Sequence, residues 1–415
     1  MGTVPTSLAG ASWLTDRRTQ AVFTLLDSEG EEGRVVGGAV RNALFGVPVR
    51  DLDFATTATP EMVTQRAEAA GYRVVPTGFD HGTVTVVVGG RPFEVTTLRE
   101  DIETDGRHAV VRFGRDWTAD AWRRDFTVNA LSVSSDGTVH DPLGGYDDVE
   151  ARRIRFIGDP ERRIAEDRLR ILRFFRFHAE YGEGELDEPS LSASIHARHA
   201  LRALSAERVG HEMRRLVVAK GAAATLEAMQ DSGILPVVFG GVGYVATFRR
   251  LVAIEEGLSV EPDMSLRLAA LGCRIAEDAE RLTAHLRLSN AERDRMLAAV
   301  EHGEGFRPLW GEREARHRLY RLGPETYRDA AIFGFLRSDA SPGDAGRQAL
   351  IRLPERWQAP SFPISGRDIL AASSLRGPSV GALLGDLEAW WIERDFVPDE
   401  AALRARLQQM IASAQ

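Results

Sequence analysis

A change of hydrophobic period near Asp141-Pro142 constrains this chain more than any other feature. Before it, short β-type runs alternate with turns: Arg34-Val35-Val36, Asp51-Leu52-Asp53-Phe54, Tyr72 to Val75, Thr83 to Val88 and Pro92 to Leu98. Branched and aromatic residues in short runs bounded by Gly, Pro or Asp predict strands, and the Gly89-Gly90 pair between two such runs predicts a hairpin. Helical patterns over Thr15 to Leu26 and Pro60 to Ala70 set helices among these strands. From Asp159 onward the apolar residues follow the helical period, interrupted by Gly and Pro. The expected class is therefore α+β, with a mixed-sheet domain over residues 1–140 and all-α sequence after it.

At 415 residues the chain exceeds one compact core, since domains run to roughly 100–200 residues. Breaks near Gly240-Gly241, Gly303 to Pro308 and Ala359 to Pro363 suggest further divisions at 141–220, 221–305 and 306–415. Ile164, Leu169, Leu172 and Phe175 predict one helix from about Ile164 to Tyr181, ended by Gly182-Glu183-Gly184. Ser205 is the expected N-cap of the next helix.

The formal net charge of -9 argues against indiscriminate nucleic-acid binding, because a polyanion is repelled unless basic residues are gathered locally. They are gathered between Glu150 and Glu180, where nine arginines stand against six carboxylates. Lys220 is the only lysine, so the cationic chemistry is guanidinium chemistry, suited to forked contacts with phosphates and base edges, although genomic base composition gives the same bias. Cys273 is the only cysteine, which excludes an intramolecular disulfide and a cysteine-cluster metal site and fits a buried apolar role. The N-terminus lacks a secretory pattern and no apolar run is long enough to span a bilayer, so a cytoplasmic protein is expected.

Two short patterns carry chemistry together that neither carries alone. Gly37-Gly38 after a strand, with Arg41 following, lets backbone N–H groups and a guanidinium approach a triphosphate. Asp51 and Asp53, at i and i+2 of a strand, present two carboxylates on one face, as a divalent cation requires. A lone Gly-Gly is usually a turn and a lone Asp-x-Asp a solvated strand end.

At this spacing the two patterns resemble the head of the DNA polymerase beta nucleotidyltransferase superfamily, and within it the class II tRNA nucleotidyltransferase and bacterial poly(A) polymerase family. The resemblance implies two Mg²⁺ ions on Asp51 and Asp53, with Glu94 as third carboxylate, a position that also reads as an exposed strand residue. Arg123-Arg124-Asp125-Phe126-Thr127-Val128-Asn129-Ala130 is similar to the family's RRDFT-x-NA motif, implying that Arg124 contacts the nucleotide and Asp125 its ribose. Asp159 to Phe177 resembles the family's neck helix. There Asp167 and Arg170 are implied as a protein template for CTP and ATP, with Arg173 and Arg176 lining the nucleotide pocket, although a helix laced with salt bridges gives the same pattern. A carboxylate accepts from the exocyclic amine of C or A while a guanidinium donates to the adjacent ring nitrogen, a pattern that G and U reverse.

In these terms residues 1–140 are the head, 141–220 the neck, 221–305 the body and 306–415 a tRNA-binding tail. Arg99 to Phe113 corresponds to the family's flexible loop, which argues against a CC-only enzyme. Gly78-Phe79-Asp80-His81-Gly82 stands where poly(A) polymerases carry a basic Gly-Arg-Arg-type sequence. Asn42 departs from the family's usual Asp. The expected activity is addition of CMP, CMP and AMP to the tRNA 3′ end from CTP and ATP. The alternatives are an A-adding enzyme, a bacterial poly(A) polymerase and a non-catalytic RNA-binding protein.

Overall fold

The computed structural model describes residues 7–79, 82–105, 108–306 and 310–414. Contacts within the chain are concentrated in two units, Met1–Val242 and Gly243–Gln415.

The first unit is built on a seven-stranded sheet. Its strands are β1 (Gly33–Val36), β2 (Asp53–Thr56), β3 (Arg73–Gly78), β4 (Thr83–Val88), β5 (Arg91–Thr97), β8 (Ser132–Val133) and β9 (Val139–His140), in the order β3-β4-β5-β2-β1-β8-β9. The predicted Gly89-Gly90 hairpin joins β4 to β5, with Val88 opposite Arg91 and both glycines at positive φ, as a tight two-residue turn requires. All neighbours are antiparallel except β2 and β5, which run parallel with Asp53 beside Glu94. A parallel pair needs a crossover. Here the chain passes through α4 (Pro60–Ala69), β3 and β4 before β5 returns beside β2. Thr59 caps α4 by accepting from the Met62 N–H, and Pro60 occupies its first turn.

Successive strand residues alternate between faces, and each face of this sheet has its own task. On one, Phe54 and Phe93 are buried edge to face, and Phe23 of α2 (Arg17–Leu26) packs on Phe54 with centroids 5.0 Å apart. The other carries Asp53, Ala55 and Glu94, with Val36, Ala55 and Leu98 packed under Trp117.

The stretch that corresponds to the family's flexible loop carries a second, two-stranded sheet. Strands β6 (Arg99–Asp105) and β7 (His108–Phe113) pair antiparallel from Arg99 opposite Phe113 to Asp105 opposite His108, while Gly106 and Arg107 lie outside the described residues. An Asp-Gly dipeptide between runs containing β-branched residues is a hairpin signal, outweighed in the sequence reading by the polar composition.

The helix expected from Ile164 to Tyr181 is two helices, α7 (Pro160–Glu166) and α8 (Leu169–Tyr181). Asp167 breaks them apart with extended backbone, φ −150° and ψ 109°, and its carboxylate accepts from the Leu169 N–H at 3.0 Å. Ile164, Leu169, Leu172 and Phe175 are all buried, so the apolar stripe survives the break and hid it from a periodicity argument. The following long helix, α10 (Ala206–Val218), starts after Ser205, whose side chain makes no capping bond.

The second unit is helical throughout its described residues. Ser289 and Glu292 form a capping box at the start of Asn290–Gly303. Asp368 accepts from both the N–H and the hydroxyl of Ser365 before Gly366–Ala372. The segment Glu312–Leu336 is interrupted at Gly323, whose φ of 74° precedes Pro324. Towards the C-terminus, Ile369, Leu387, Trp391, Leu403 and Leu407 close a core of their own. Cys273 is buried as expected, and burial pushes its thiol up to about 12.

Candidate active site

The parallel pairing of β2 and β5 sets the Asp53 and Glu94 carboxylates side by side on the open face of the sheet. Asp51 lies just ahead of β2 rather than within it, but Leu52 between the two aspartates is buried while both aspartates are exposed, so the alternation extends back to Asp51. Although the Asp53 side chain is open to solvent, desolvation by the surrounding protein, and then the negative charges of Glu94 and Asp51, raise its carboxyl above the ordinary aspartate range against an opposing pull from Arg124. Neighbouring anions that hinder each other's ionisation are relieved by a cation. Among the described residues no three of His, Cys, Asp and Glu converge to cage a metal by themselves. A pair of carboxylates suits a divalent cation whose remaining ligands come from substrate phosphates and water.

Above the carboxylates, Gly37 turns the chain from β1 into α3 (Gly38–Leu44) with φ 65° and ψ −118°, a conformation essentially confined to glycine. A Cβ at Gly37 would stand 3.1 Å from the Arg124 Nη1, so the missing side chain is also what lets this guanidinium approach the turn. Arg124 is aimed there by Asp120 of α5 (Trp117–Trp122), whose buried carboxylate receives Arg124 Nη2 at 2.9 Å and Arg123 Nη2 at 2.6 Å. Burial alone would raise the Asp120 carboxyl, but the two guanidinium groups hold it below the usual range.

Arg41 sits differently from the sequence expectation of a free phosphate contact. Its buried guanidinium donates to Asn129 Oδ1 at 2.7 Å, to Tyr181 Oη at 2.9 Å and to Asn42 Oδ1 at 2.8 Å, and it stacks on the Tyr181 ring. It therefore ties α3 to the end of α8, and Asn42 supplies an acceptor to it without the charge of an aspartate. Desolvation lowers the Arg41 pKa.

The motif residue Asp125 is held at both oxygens: Arg173 reaches its Oδ2 at 2.6 Å, and the Phe126 N–H and Asn129 amide donate to Oδ1. Burial would raise this carboxyl, and Arg173 with these hydrogen bonds outweighs it, leaving the pKa lowered. Arg163 of α7 adds a strap by donating to the carbonyls of Arg123 and Arg124. Asp167 and Arg170 come together at the break between α7 and α8, where Arg170 Nη1 is 2.6 Å from Glu166 Oε2 and Arg208 Nη2 is 2.7 Å from Asp167 Oδ2.

One cavity of about 560 Å³ is lined by Gly37, Gly38, Arg41, Asp53, Glu94, Arg124, Asp125, Asp167, Arg170 and Arg173. Asp51 is not among its lining residues, nor is Arg176. Arg176 is only 1% exposed and is paired with Glu212 of α10 and with Glu180, so it joins α8 to α10 rather than facing the cavity. Sequence reasoning passed over Arg208, Thr83, Thr96, Arg99 and Phe177, which also line the cavity.

Residues 33–155 match the Poly A polymerase head domain family, and residues 185–242 match a family described as a probable RNA and SrmB-binding site of polymerase A. CCA tRNA nucleotidyltransferase 1, mitochondrial, of Mus musculus is 34% identical over 387 residues, covering 90% of this chain and 85% of that protein. The Homo sapiens protein of the same name is 32% identical over 405 residues, covering 94% and 89%. The chain belongs to the CCA tRNA nucleotidyltransferase family. Among solved structures, the CCA-adding enzyme of Bacillus stearothermophilus in complex with CTP is similar with a TM-score of 0.77 and 26% identity, over 96% of this chain and 98% of that one.

Membership of the CCA tRNA nucleotidyltransferase family brings dependence on a divalent metal ion, which the Asp53 and Glu94 pairing suits. The likeness extends across both units, so the helical second half is part of the family architecture. No helix of the described residues is long and apolar enough to cross a membrane.

Proposed function

We propose that this protein adds CMP, CMP and AMP to the 3′ end of tRNA, taking them from CTP and ATP and releasing pyrophosphate. The observation that carries the reading is the content of one cavity: paired carboxylates, a glycine turn with Arg124 against it, and an Asp167/Arg170 edge suited to reading a base. The terminal 3′-hydroxyl oxygen of the RNA attacks the α-phosphorus, a new P–O bond forms, and the bond to the β-phosphate oxygen breaks.

Asp51 and Asp53, with Glu94 beside them, would hold two Mg²⁺ ions. Such ions lower the pKa of an attacking hydroxyl and neutralise a leaving pyrophosphate. The main chain at Gly37 and Gly38, together with Arg124, receives the triphosphate, and Asp125 addresses the ribose. Arg41 and Arg173 act one step back, the first fixing α3 against α8 and the second fixing Asp125. Asp167 accepts from the amine of cytosine or adenine and Arg170 donates to the neighbouring ring nitrogen. The division into head, neck, body and tail, with the tail on tRNA, belongs to the same proposal. So does a cytoplasmic location, to which the mitochondrial designation of the mammalian relatives is the alternative.

The test is an incorporation assay on tRNA lacking CCA, lacking A, or complete, with each NTP alone and then CTP with ATP. Complete CCA on the first substrate and A alone on the second is the expected result. Failure to add C would leave an A-adding enzyme, an open-ended A tract would indicate a poly(A) polymerase, and no incorporation would sink the reading.

A further inference from the structure

Arg208 lies outside every motif that the sequence singled out for nucleotide handling, yet it lines the same cavity. It is the third residue of α10, 41 positions beyond the residue it contacts. A cation in the first turn of a helix opposes the positive end of the backbone dipole, so its placement there is unfavourable taken alone. Ser205, at the N-cap, provides no side-chain capping bond that would offset it. What the guanidinium gains instead is Asp167, whose Oδ2 it meets at 2.7 Å.

The geometry points to Arg208 as a positioning residue for base selection, acting through Asp167. This rests on the base-reading role proposed above for Asp167 and Arg170. Asp167 is not carried by a helix: it stands on extended backbone between α7 and α8, where no helical turn fixes its direction. Two donors hold its carboxylate, the Leu169 N–H on Oδ1 and Arg208 on Oδ2. Each carboxylate oxygen accepts two hydrogen bonds, so both retain a lone pair for the exocyclic amine of a base. Removing Arg208 leaves one tether, and the carboxylate is free to turn about its terminal torsion, which is broad for aspartate. Arg170 is held separately by Glu166 Oε2 and the Arg163 carbonyl, so it would keep its place while its partner in reading lost direction. Discrimination between C and U depends on both halves of the pattern being presented together.

The experiment compares wild type with Arg208→Gln, Arg208→Lys and Asp167→Ala, measuring kcat/KM for CTP and UTP on tRNA lacking CCA. The CTP/UTP ratio falls about tenfold in Arg208→Gln, within the range for loss of one specific base contact. It falls further in Asp167→Ala and is partly recovered in Arg208→Lys, which keeps the charge without the fork. A merely structural role would lower incorporation of both nucleotides alike and leave the ratio in place. Should the Gln variant fail to fold, Arg208→Met carries the test, because a ratio equal to wild type there overturns the inference. A ratio lost in Asp167→Ala but kept in Arg208→Gln overturns the inference alone. A ratio kept in Asp167→Ala overturns the base-reading role on which it rests.

Discussion

Two sets of carboxylates stand in and around one cavity, and they are treated in opposite ways. Asp120, Asp125 and Asp167 each receive a guanidinium, from Arg124, Arg173 and Arg208 respectively. Asp53 and Glu94, with Asp51 close by, have no ion pair among the described residues and face one another instead. Paired acids orient their partners and are themselves oriented. Crowded acids store unfavourable electrostatics that only a bound cation discharges, which is the arrangement expected where charge must be neutralised during a reaction and not before it. On the proposed function, selection and catalysis are separated by whether the protein supplies the counter-charge itself.

The severest way to break this contrast is Asp53→Asn. Metal assistance is worth several kcal/mol, so incorporation should fall about 10³-fold or more while the fold is kept. Near wild-type turnover would remove the crowded set from the chemistry. Arg176→Met addresses a pairing that is fully buried and outside the cavity. Removing one partner there leaves Glu212 without its buried counter-charge and should cost about 3 kcal/mol of stability, read as a lower denaturant midpoint, with nucleotide selectivity unchanged. Altered selectivity would return Arg176 to the nucleotide pocket, where the sequence reading had it.

The smallest effect is the most diagnostic, because the two sets carry pH dependence of opposite sign. The Asp53 pKa is raised in the folded state, so its contribution to stability is present below the ordinary aspartate value and is lost as pH rises through the folded value. The Asp125 pKa is lowered, so its contribution is present above the ordinary value and is lost as pH falls through the folded one. In metal-free buffer Asp53→Asn should therefore be more stable than wild type near neutrality, with the gain shrinking below about pH 4. Arg173→Ala should be less stable than wild type near neutrality, with that deficit also shrinking in acid. Urea midpoints across the pH range check both, and gaps of the same sign would collapse the distinction.

What could be read from sequence follows from how local each cause is. Strands β1 to β5 were legible, unlike β8 and β9, because alternation is a property of a few adjacent residues, as with buried Leu52 between exposed Asp51 and Asp53. The break at Asp167 was not, since the stripe from Ile164 to Phe175 stays buried on both sides of it. An aspartate two residues ahead of a helical run, free to accept from its first N–H groups, was the available signal. The pairing of β6 with β7 was hidden by charged composition, although an Asp-Gly dipeptide in the sequence between them is a hairpin signal. Partnerships between distant segments had no local signature at all. Nothing near Arg41 foretold Tyr181, and nothing near Arg208 foretold Asp167. The motif residues Gly37, Gly38, Asp53, Glu94, Arg124, Asp125, Asp167 and Arg170 were therefore identified in advance, while the strand residues Thr83 and Thr96 and the tethers that aim the motifs were not.

Cys273 has a practical corollary for anyone wishing to watch this molecule work. With its only thiol buried and pushed up to about 12, the native chain offers almost no thiolate to a maleimide or iodoacetamide at neutral pH. A single cysteine introduced on the exposed surface would then take a fluorophore or spin label at one chosen address. The chain can be fitted with a reporter without first stripping out a native sulfur.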